Sequence, residues 1–357
     1  MKTKSFLFSL ILAVGLIGFY SCEDDDPSPL NKEKAEVAID ESEGEFVAVS
    51  NEIATDEGYK VQAQLDDMYL PFEYSKSASL LKSSKYDIAK LKAKIAETLK
   101  CKETGDINFN FDFIYALMDL DDYTYYTGTW DLTNGEFVKT SASPSDEIVL
   151  NFPYPSGNTT NNATLRYYDI KFGLSSIGFK GTIKVNSNTV LSFGLSASVS
   201  DTKMSASMNV EFGKFEMSFT ESASESSSSY VFASTSTLKK DGDVVYKVNA
   251  KITMTQEDVV IEANMTVASL EFRLKIDLNS DELQNIGTLD RNDYVKMSLY
   301  TTGGAKIGDF VQVYNSTDQR WNLYFVYTDG TQVAIETALP QLGGIFDDFY
   351  RELYDEI

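Results

Sequence analysis

The chain has 357 residues and carries 54 acidic side chains against 31 basic ones, which gives a formal net charge of −23. Phosphate backbones repel so acidic a protein, and we therefore expect no nucleic-acid partner. The sequence contains no histidine, which excludes Ser-His-Asp and Cys-His catalysis and most catalytic zinc sites. The length suffices for a substantial core in one large or two modest domains.

The chain begins with a pattern typical of exported proteins. Lys2 and Lys4 precede an apolar run over residues 6–20, which is too short and too close to the N-terminus for an ordinary membrane-spanning helix. Cys22 follows almost directly. This arrangement resembles the lipobox of bacterial lipoproteins, and the resemblance implies that residues 1–21 are a removed signal peptide and that Cys22 is acylated. The other interpretation is a plain signal peptide with an incidental cysteine.

A run of four acidic residues follows the cysteine: Glu23, Asp24, Asp25 and Asp26. This run resembles the export signal of Bacteroidetes lipoproteins displayed on the outer face of the outer membrane, and residues 130–153 resemble a segment found in such lipoproteins. The resemblance implies a surface-facing protein attached to the outer membrane through the lipid on Cys22, and it brings no activity with it. The alternative is that the acidic run is a solvated linker. Removal of residues 1–21 takes away two lysines, so the formal charge becomes −25.

The front of the mature chain is predicted to be a tether followed by helices. Residues 22–33 have the charge and proline content of a flexible linker, and residues 34–104 form the predicted helical region. One or two short helices are expected before Pro71. A clearer helix spans residues 76–102, where apolar residues recur at helical spacing and lysines cover the other positions. We expect its apolar stripe to pack on the sheet, although a basic amphipathic helix can also lie on a membrane surface.

Residues 105–357 are predicted to form an antiparallel β domain. Apolar and polar side chains alternate with a period of two over residues 164–278, which is the pattern of strands with one buried and one wet face. Further strands are predicted near 107–113, 123–130, 295–300, 310–314, 323–327 and 333–337. A last helix is predicted from an apolar stripe that comprises Ile345, Phe349 and Leu353.

The sharpest pattern lies between residues 203 and 220. Apolar residues occupy the even positions up to Phe212 and the odd positions from Phe215, so the parity changes across Gly213-Lys214. A two-residue hairpin of type II′ explains this change, because Gly suits the first turn position and the two phenylalanines become cross-strand neighbours on one face. The chain as a whole is predicted to be mainly β (α+β), with a large antiparallel meander sheet that is sandwich or barrel-like.

No motif identifies a catalytic centre, a cofactor or a metal site. The sequence has no Walker A loop, no CxxC pair and no EF-hand loop. Asp119, Asp121 and Asp122 form the densest internal acidic cluster, but they lack the spacing of a calcium loop. We therefore assign no catalytic residue, no cofactor and no metal.

Two sets of side chains are candidates for ligand binding. The first is the soft apolar face of the central hairpin, a candidate wall for a hydrophobic ligand, which comprises Met204, Met208, Phe212, Phe215, Met217 and Phe219. The second is a set of aromatic residues suited to stacking on sugars, which comprises Tyr123, Tyr125, Tyr126, Trp130, Tyr167, Tyr168 and Trp321. Core packing and β-propensity are the ordinary explanations for both sets.

The expected function is that of a non-enzymatic binding protein, anchored in the outer membrane, for a glycan or a hydrophobic ligand. A structural or adhesive, pilin-like surface protein is the first alternative. A histidine-free glycosidase is the second, because a pair of carboxylates can hydrolyse a glycosidic bond without histidine.

Overall fold

A computed structural model describes residues 28–66, 68, 126–142, 147–173, 175–255, 257–279, 281–282, 290–316 and 320–344. Several of the sequence predictions fall outside these residues. They are the signal peptide, Cys22 with the acidic run, the lysine-rich helix, the strand at 107–113, the acidic cluster at 119–122, and the helix with Ile345, Phe349 and Leu353.

Among the described residues, sixteen strands form a single sheet. Strands β3 to β16 lie side by side in sequence order, and β1 lies next to β3, with β2 at the outer edge beyond β1. The strands are β1 (Tyr126–Asp131), β2 (Glu136–Ala142), β3 (Ile148–Phe152), β4 (Ala163–Gly173), β5 (Ser176–Val185), β6 (Asn188–Val199), β7 (Lys203–Phe212), β8 (Phe215–Glu225), β9 (Ser229–Lys240), β10 (Asp243–Thr255), β11 (Asp258–Val267), β12 (Leu270–Asn279), β13 (Val295–Thr301), β14 (Lys306–Asn315), β15 (Arg320–Tyr327) and β16 (Gln332–Ala334). The helices are α1 (Lys32–Thr55), α2 (Glu57–Asp66), α3 (Arg291–Tyr294) and α4 (Ile335–Ala338).

The predicted fold class, a mainly β chain with a large antiparallel meander, is confirmed. From β3 to β16 each strand pairs antiparallel with the next one along the chain. The exception lies at the edge, where β1 pairs parallel with β3 and antiparallel with β2. The helix before the sheet is longer than predicted, since α1 has 24 residues.

The predicted central hairpin is confirmed in register. Phe212 pairs with Phe215, and Met208 pairs with Phe219. Gly213 has a positive φ of 51°, as the first position of a type II′ turn requires, and this is the conformation that glycine adopts without strain. The hairpin therefore follows from the sequence pattern alone.

The sheet has two chemically different faces. We call the inner face the side that carries Met208, Val210 and Phe212, and the outer face the side that carries Ser205 and Ser207. Inner-face residues of β3 to β15 belong to one hydrophobic core cluster, in which Val210 and Leu150 are fully buried. Most outer-face residues are partly or fully exposed, with Asn249 of β10 as a buried exception. The apolar area removed from water on the inner face is the main favourable term for this fold.

Helix α1 runs along one end of the sheet, across the turns that join the two strands of successive hairpins. Just before the helix, Leu30 N–H donates to the carbonyl of Lys306, the first residue of β14, at 2.9 Å. In its middle, the hydroxyl oxygens of Ser42 and Ser269, in the β11–β12 turn, lie 2.6 Å apart. A 24-residue helix is about 36 Å long, which matches about eight strands at roughly 4.8 Å each.

The last turn of α1 is joined to two further hairpins. The Glu52 carboxylate accepts a hydrogen bond from Lys240, at the end of β9, at 2.9 Å and forms an ion pair with Lys214 in the β7–β8 turn. The two lysines lower the pKa of Glu52, Lys214 contributing most. Helix α2 continues along the same end of the sheet, where Gln64 Nε2 donates to the carbonyl of Pro153 at 2.6 Å.

The predicted strand at 333–337 is partly wrong. Strand β16 ends at Ala334, and α4 begins at Ile335. The buried residues after this point are Ile335, Ala338, Leu339 and Leu342. Their spacing is that of one helical face, so burial of this face outweighs the β-propensity of the segment.

Candidate functional site

The predicted apolar ligand face lies in the core. Met208, Phe212, Phe215, Met217 and Phe219 are all buried, with 2 to 7 % of their surface exposed. Met204, at the start of β7, is half-buried. Burial to this degree favours core packing over a ligand cavity at this face. The hydrophobic-ligand hypothesis stays a prediction.

The predicted aromatic candidates do not form one platform. Tyr167 is fully buried on the inner face, where its ring meets that of Phe193 edge to face at 5.7 Å. Trp130 packs on Phe137 at 4.9 Å. Tyr168 lies on the outer face beneath the guanidinium of Arg166, whose carbon is 5.0 Å from the ring centroid. Tyr123, Tyr125 and the side chain of Tyr126 lie outside the described residues.

Trp321 belongs to a separate aromatic pair at the end of β14 and β15. Its ring centroid is 5.5 Å from that of Tyr314, which is 50 % exposed. The guanidinium carbon of Arg291 lies 5.0 Å from the Trp321 ring. The cation thus covers part of the surface that a sugar would need.

A polar cleft lies on the outer face of β4 and β5 and has a volume of about 520 Å³. We call it the β4–β5 cleft. Its lining residues are amides, hydroxyls and two cations, and none of them is acidic: Asn161, Asn162, Thr164, Arg166, Thr182, Lys184, Asn186 and Ser187.

Two connections form one end of this cleft, and hydrogen bonds join them. Asn186 N–H donates to the carbonyl of Asn162 at 2.9 Å, and the two side-chain amides lie 3.4 Å apart. Asn162 Oδ1 also accepts from the N–H of Tyr154 at 2.8 Å. Asn186 and Ser187 have positive φ values of 47° and 71°, as a tight hairpin turn between β5 and β6 requires. The polar groups at this end are therefore held in fixed positions.

The floor of the β4–β5 cleft is formed by outer-face residues of the strands. The Arg166 guanidinium makes two hydrogen bonds to the Glu147 carboxylate, one of them from Nε at 2.6 Å. This pairing lowers the pKa of Glu147 and raises that of Arg166. Thr164 donates to Asn151 Oδ1 at 2.9 Å on the neighbouring strand. Thr182 faces Arg166 across the β4–β5 pairing.

Two polar groups of the cleft residues lack a partner among the described residues: the side-chain oxygen of Asn161 and the ammonium of Lys184. Asn161 Nδ2 donates to the carbonyl of Trp130 at 2.9 Å, while its Oδ1 is buried and has no hydrogen-bond partner. Lys184 is exposed, and no carboxylate in the described part of the chain lies within ion-pair distance of it. A buried acceptor without a partner costs free energy until a donor reaches it.

This arrangement of polar groups is suited to binding. Amide and hydroxyl groups can donate and accept in the directions that the hydroxyl groups of a sugar need. Across the ranges that the structure describes, no group of three or more Cys, Asp or Glu side chains is placed to hold a metal ion. None of the helices in those ranges is long and apolar enough to span a membrane.

From the sequence alone, parts of the cleft are recognisable only as a loop and a turn. The loop at 158–162 reads as a polar, low-complexity connection, and the segment Asn186-Ser187-Asn188 reads as a turn. The usable signal was the concentration of asparagine at both connections, combined with cations at outer-face positions of β4 and β5. Only the pairing of these strands brings the groups together.

Comparison of the chain with protein-family models, with curated proteins and with solved structures finds no match.

Proposed function

We propose that this protein is a lipid-anchored, surface-facing protein of the outer membrane that binds a glycan in the β4–β5 cleft without transforming it. The observation that carries the proposal is the chemistry of the cleft. In a chain with 54 acidic residues, the cleft has no acidic lining residue and is formed by amides, hydroxyls and cations. Neutral hydrogen-bonding groups on a rigid support are typical of sites that select sugars by their hydroxyl geometry.

The size and stiffness of the site support the proposal. A volume of about 520 Å³ lies within the usual range of roughly 300–1,000 Å³ for small-ligand sites. Four of the lining residues lie on paired strands, and the two connections that supply the others are hydrogen-bonded to each other, so little conformational freedom is lost when a ligand binds. The anchoring part of the proposal is supported by Cys22, the apolar run before it and the acidic run after it.

Binding is tested with a panel of soluble polysaccharides and oligosaccharides, measured by affinity electrophoresis and titration calorimetry. Thr182→Val removes one hydroxyl from the cleft while it preserves the shape of the side chain. We expect about a two- to tenfold loss of affinity for any glycan that binds, which corresponds to one neutral hydrogen bond.

The matched control for this variant is Thr237→Val, on the outer face of β9. It makes the same chemical change outside the cleft and is expected to bind like the unmodified protein. Absence of binding to every member of the panel would overturn the proposed function. An equal loss in both variants would show that the glycan binds elsewhere.

Anchoring is tested by Cys22→Ala in cells. The change removes the sulfur that would carry the acyl chain, so we expect loss of acylation and release of the protein from the membrane fraction. Protease treatment of intact cells then measures the surface-exposed fraction of the unmodified protein. Replacement of Glu23, Asp24, Asp25 and Asp26 by their amides should reduce that fraction, and an unchanged fraction contradicts the role of the acidic run.

A further inference from the structure

The two cations of the β4–β5 cleft differ in their pairing with carboxylates. The Arg166 guanidinium is satisfied by Glu147, which accepts from both Nε and Nη2. Lys184 lies two residues beyond Thr182 on the outer face of β5, and within the described ranges it has no carboxylate partner. Among the described residues, the cleft therefore presents one positive charge that no carboxylate neutralises.

The neighbouring lysine of the same strand behaves differently. Lys180 lies on the same face of β5 and forms an ion pair with Asp169 at 3.0 Å. This pairing raises the pKa of Lys180. Lys180 is thus neutralised by an acidic neighbour, whereas Lys184 lies in a cleft whose eight lining residues include no acidic side chain.

We propose that the glycan bound in the β4–β5 cleft is acidic, and that the carboxylate or sulfate group of one of its sugar units pairs with the Lys184 ammonium. This inference rests on the proposed function and specifies its ligand class. The other lining residues include the hydroxyls of Thr164 and Thr182 and the amide of Asn186, which suit the hydroxyl groups of the same ligand. A cation beside neutral donors and acceptors is complementary to a sugar that carries both an anionic group and hydroxyl groups.

The net charge of the protein indicates that an acidic glycan would bind through one local contact and not through a general attraction to the surface. With a net charge of −23, the protein as a whole repels polyanions. An acidic glycan that binds must therefore gain a specific contact that outweighs this repulsion, and its affinity should depend on one site. Added salt screens both the long-range repulsion and the contact, so the salt dependence should be shallow compared with that of a polybasic surface.

The test uses matched pairs of probes that differ only in charge. The first pair is an oligogalacturonate and its fully methyl-esterified form, and the second is a chondroitin sulfate oligosaccharide and its desulfated form. Calorimetry is carried out with the full chain, with Lys184→Gln and with Lys180→Gln as the control on the same strand face. We expect the unmodified protein to prefer the charged member of at least one pair, and Lys184→Gln to weaken that binding about fivefold. Lys180→Gln should leave the affinity unchanged.

The outcomes separate this inference from the proposed function. Equal affinity for the charged and uncharged members of every pair that binds overturns the acidic-glycan inference and leaves the proposed function standing. A preference for the charged member that survives Lys184→Gln also overturns the inference, because the anionic group then binds elsewhere. Binding only of neutral glycans in the wider panel has the same consequence. If no glycan binds at all, the proposed function fails and the inference fails with it.

Discussion

The inner face of the β7–β8 hairpin and the outer face of β4 and β5 contribute to the protein in opposite ways. On the inner face, Phe212 and Phe215 are 2 and 3 % exposed, and they pair across a turn that the sequence pattern predicts. On the outer face, the β4–β5 cleft combines strand residues such as Thr182 with Asn161 and Asn186 from two connections. The regular region forms the core, whereas the irregular junction offers polar groups to a ligand.

This difference has a physical cause. The inner face is mostly apolar, with a few buried polar side chains such as Glu221, Ser234 and Ser236, because each uncompensated polar group there costs free energy. Such a face packs well but has few directional groups with which to select a ligand. At the outer face water satisfies polar groups at little cost, so amides and cations can remain available until a ligand displaces the water.

The comparison is tested most severely by Met208→Glu, which places a carboxylate on the inner face. Met208 is 7 % exposed and pairs with Leu195 and Phe219, so both cross-strand neighbours of the new charge are apolar. We expect a loss of about 4 kcal/mol in the free energy of unfolding or outright failure to fold, measured by urea denaturation. Ser207→Glu, one residue away on the outer face, is the control and should change stability by less than about 0.5 kcal/mol.

The same variant decides whether the inner face binds an apolar ligand. If Met208→Glu folds with unmodified stability, this face is hydrated rather than packed. Native mass spectrometry would then be expected to show a co-purified apolar molecule in the unmodified protein and none in the variant. That combination would restore the hydrophobic-ligand hypothesis and contradict the contrast between the faces.

Strand β5 has one glycine on each face of the sheet, so the two faces can be compared by the same small change, Gly→Ala. A Cβ at Gly181 would lie 2.0 Å from the ring of Phe193, which is itself held between Tyr167 and Phe179. A Cβ at Gly178, on the outer face, would meet its nearest atom, a carbonyl oxygen of Leu195, at an ordinary 3.6 Å. We expect Gly181→Ala to destabilise the protein by about 1–3 kcal/mol through overpacking.

Gly178→Ala should be neutral or slightly stabilising, because alanine reduces the conformational freedom of the unfolded chain. Thermal and urea denaturation of the two variants give the comparison directly. Equal stability of both variants would mean that the inner face around Phe193 adapts freely and is not close-packed.

Much of the sheet could be predicted because the alternation of apolar and polar residues is visible within each strand's own sequence. The register of β7 and β8 follows from a change of parity at Gly213-Lys214, and the register in turn fixes which residues share a face. The segment at 333–337 could not be assigned in the same way. Its three strand residues are too few to show a period, and helix α4 depends on burial of Ile335 and Ala338, which the local sequence does not specify.

The β4–β5 cleft could not be predicted because its residues come together only after the strands pair. Asn162 and Asn186 are separated by 24 positions in sequence, yet their side chains are within hydrogen-bond distance. The direction of each outer-face side chain was predictable from alternation. Which loop would close over which strand, and which lysine would lack an acidic neighbour, depends on loop geometry that carries no periodic signal.

The smallest expected effect concerns the ion pair at the floor of the cleft. Arg166 holds the pKa of Glu147 below its usual value of about 4.3, mainly through the hydrogen bonds between them. A carboxyl group whose pKa is depressed in the folded state contributes stability above its unfolded pKa, and this contribution is lost as the pH falls through the folded value. Because the Arg166 side chain is 44 % exposed, water screens the pair and the contribution should be less than about 1 kcal/mol at pH 7.

Glu147→Gln removes this contribution, so its stability should lie slightly below that of the unmodified protein at pH 7. The two stabilities should converge only as the pH falls through the lowered pKa of Glu147 in the folded state, where this carboxyl group becomes protonated in the unmodified protein as well. Urea denaturation at a series of pH values measures the difference, with Glu257→Gln in the exposed β10–β11 turn as the control. A loss of several kcal/mol at pH 7 would show that this outer-face pair is as essential to the fold as the inner-face core. The contrast between the two faces would then be wrong for this ion pair, where the smallest loss of stability is expected.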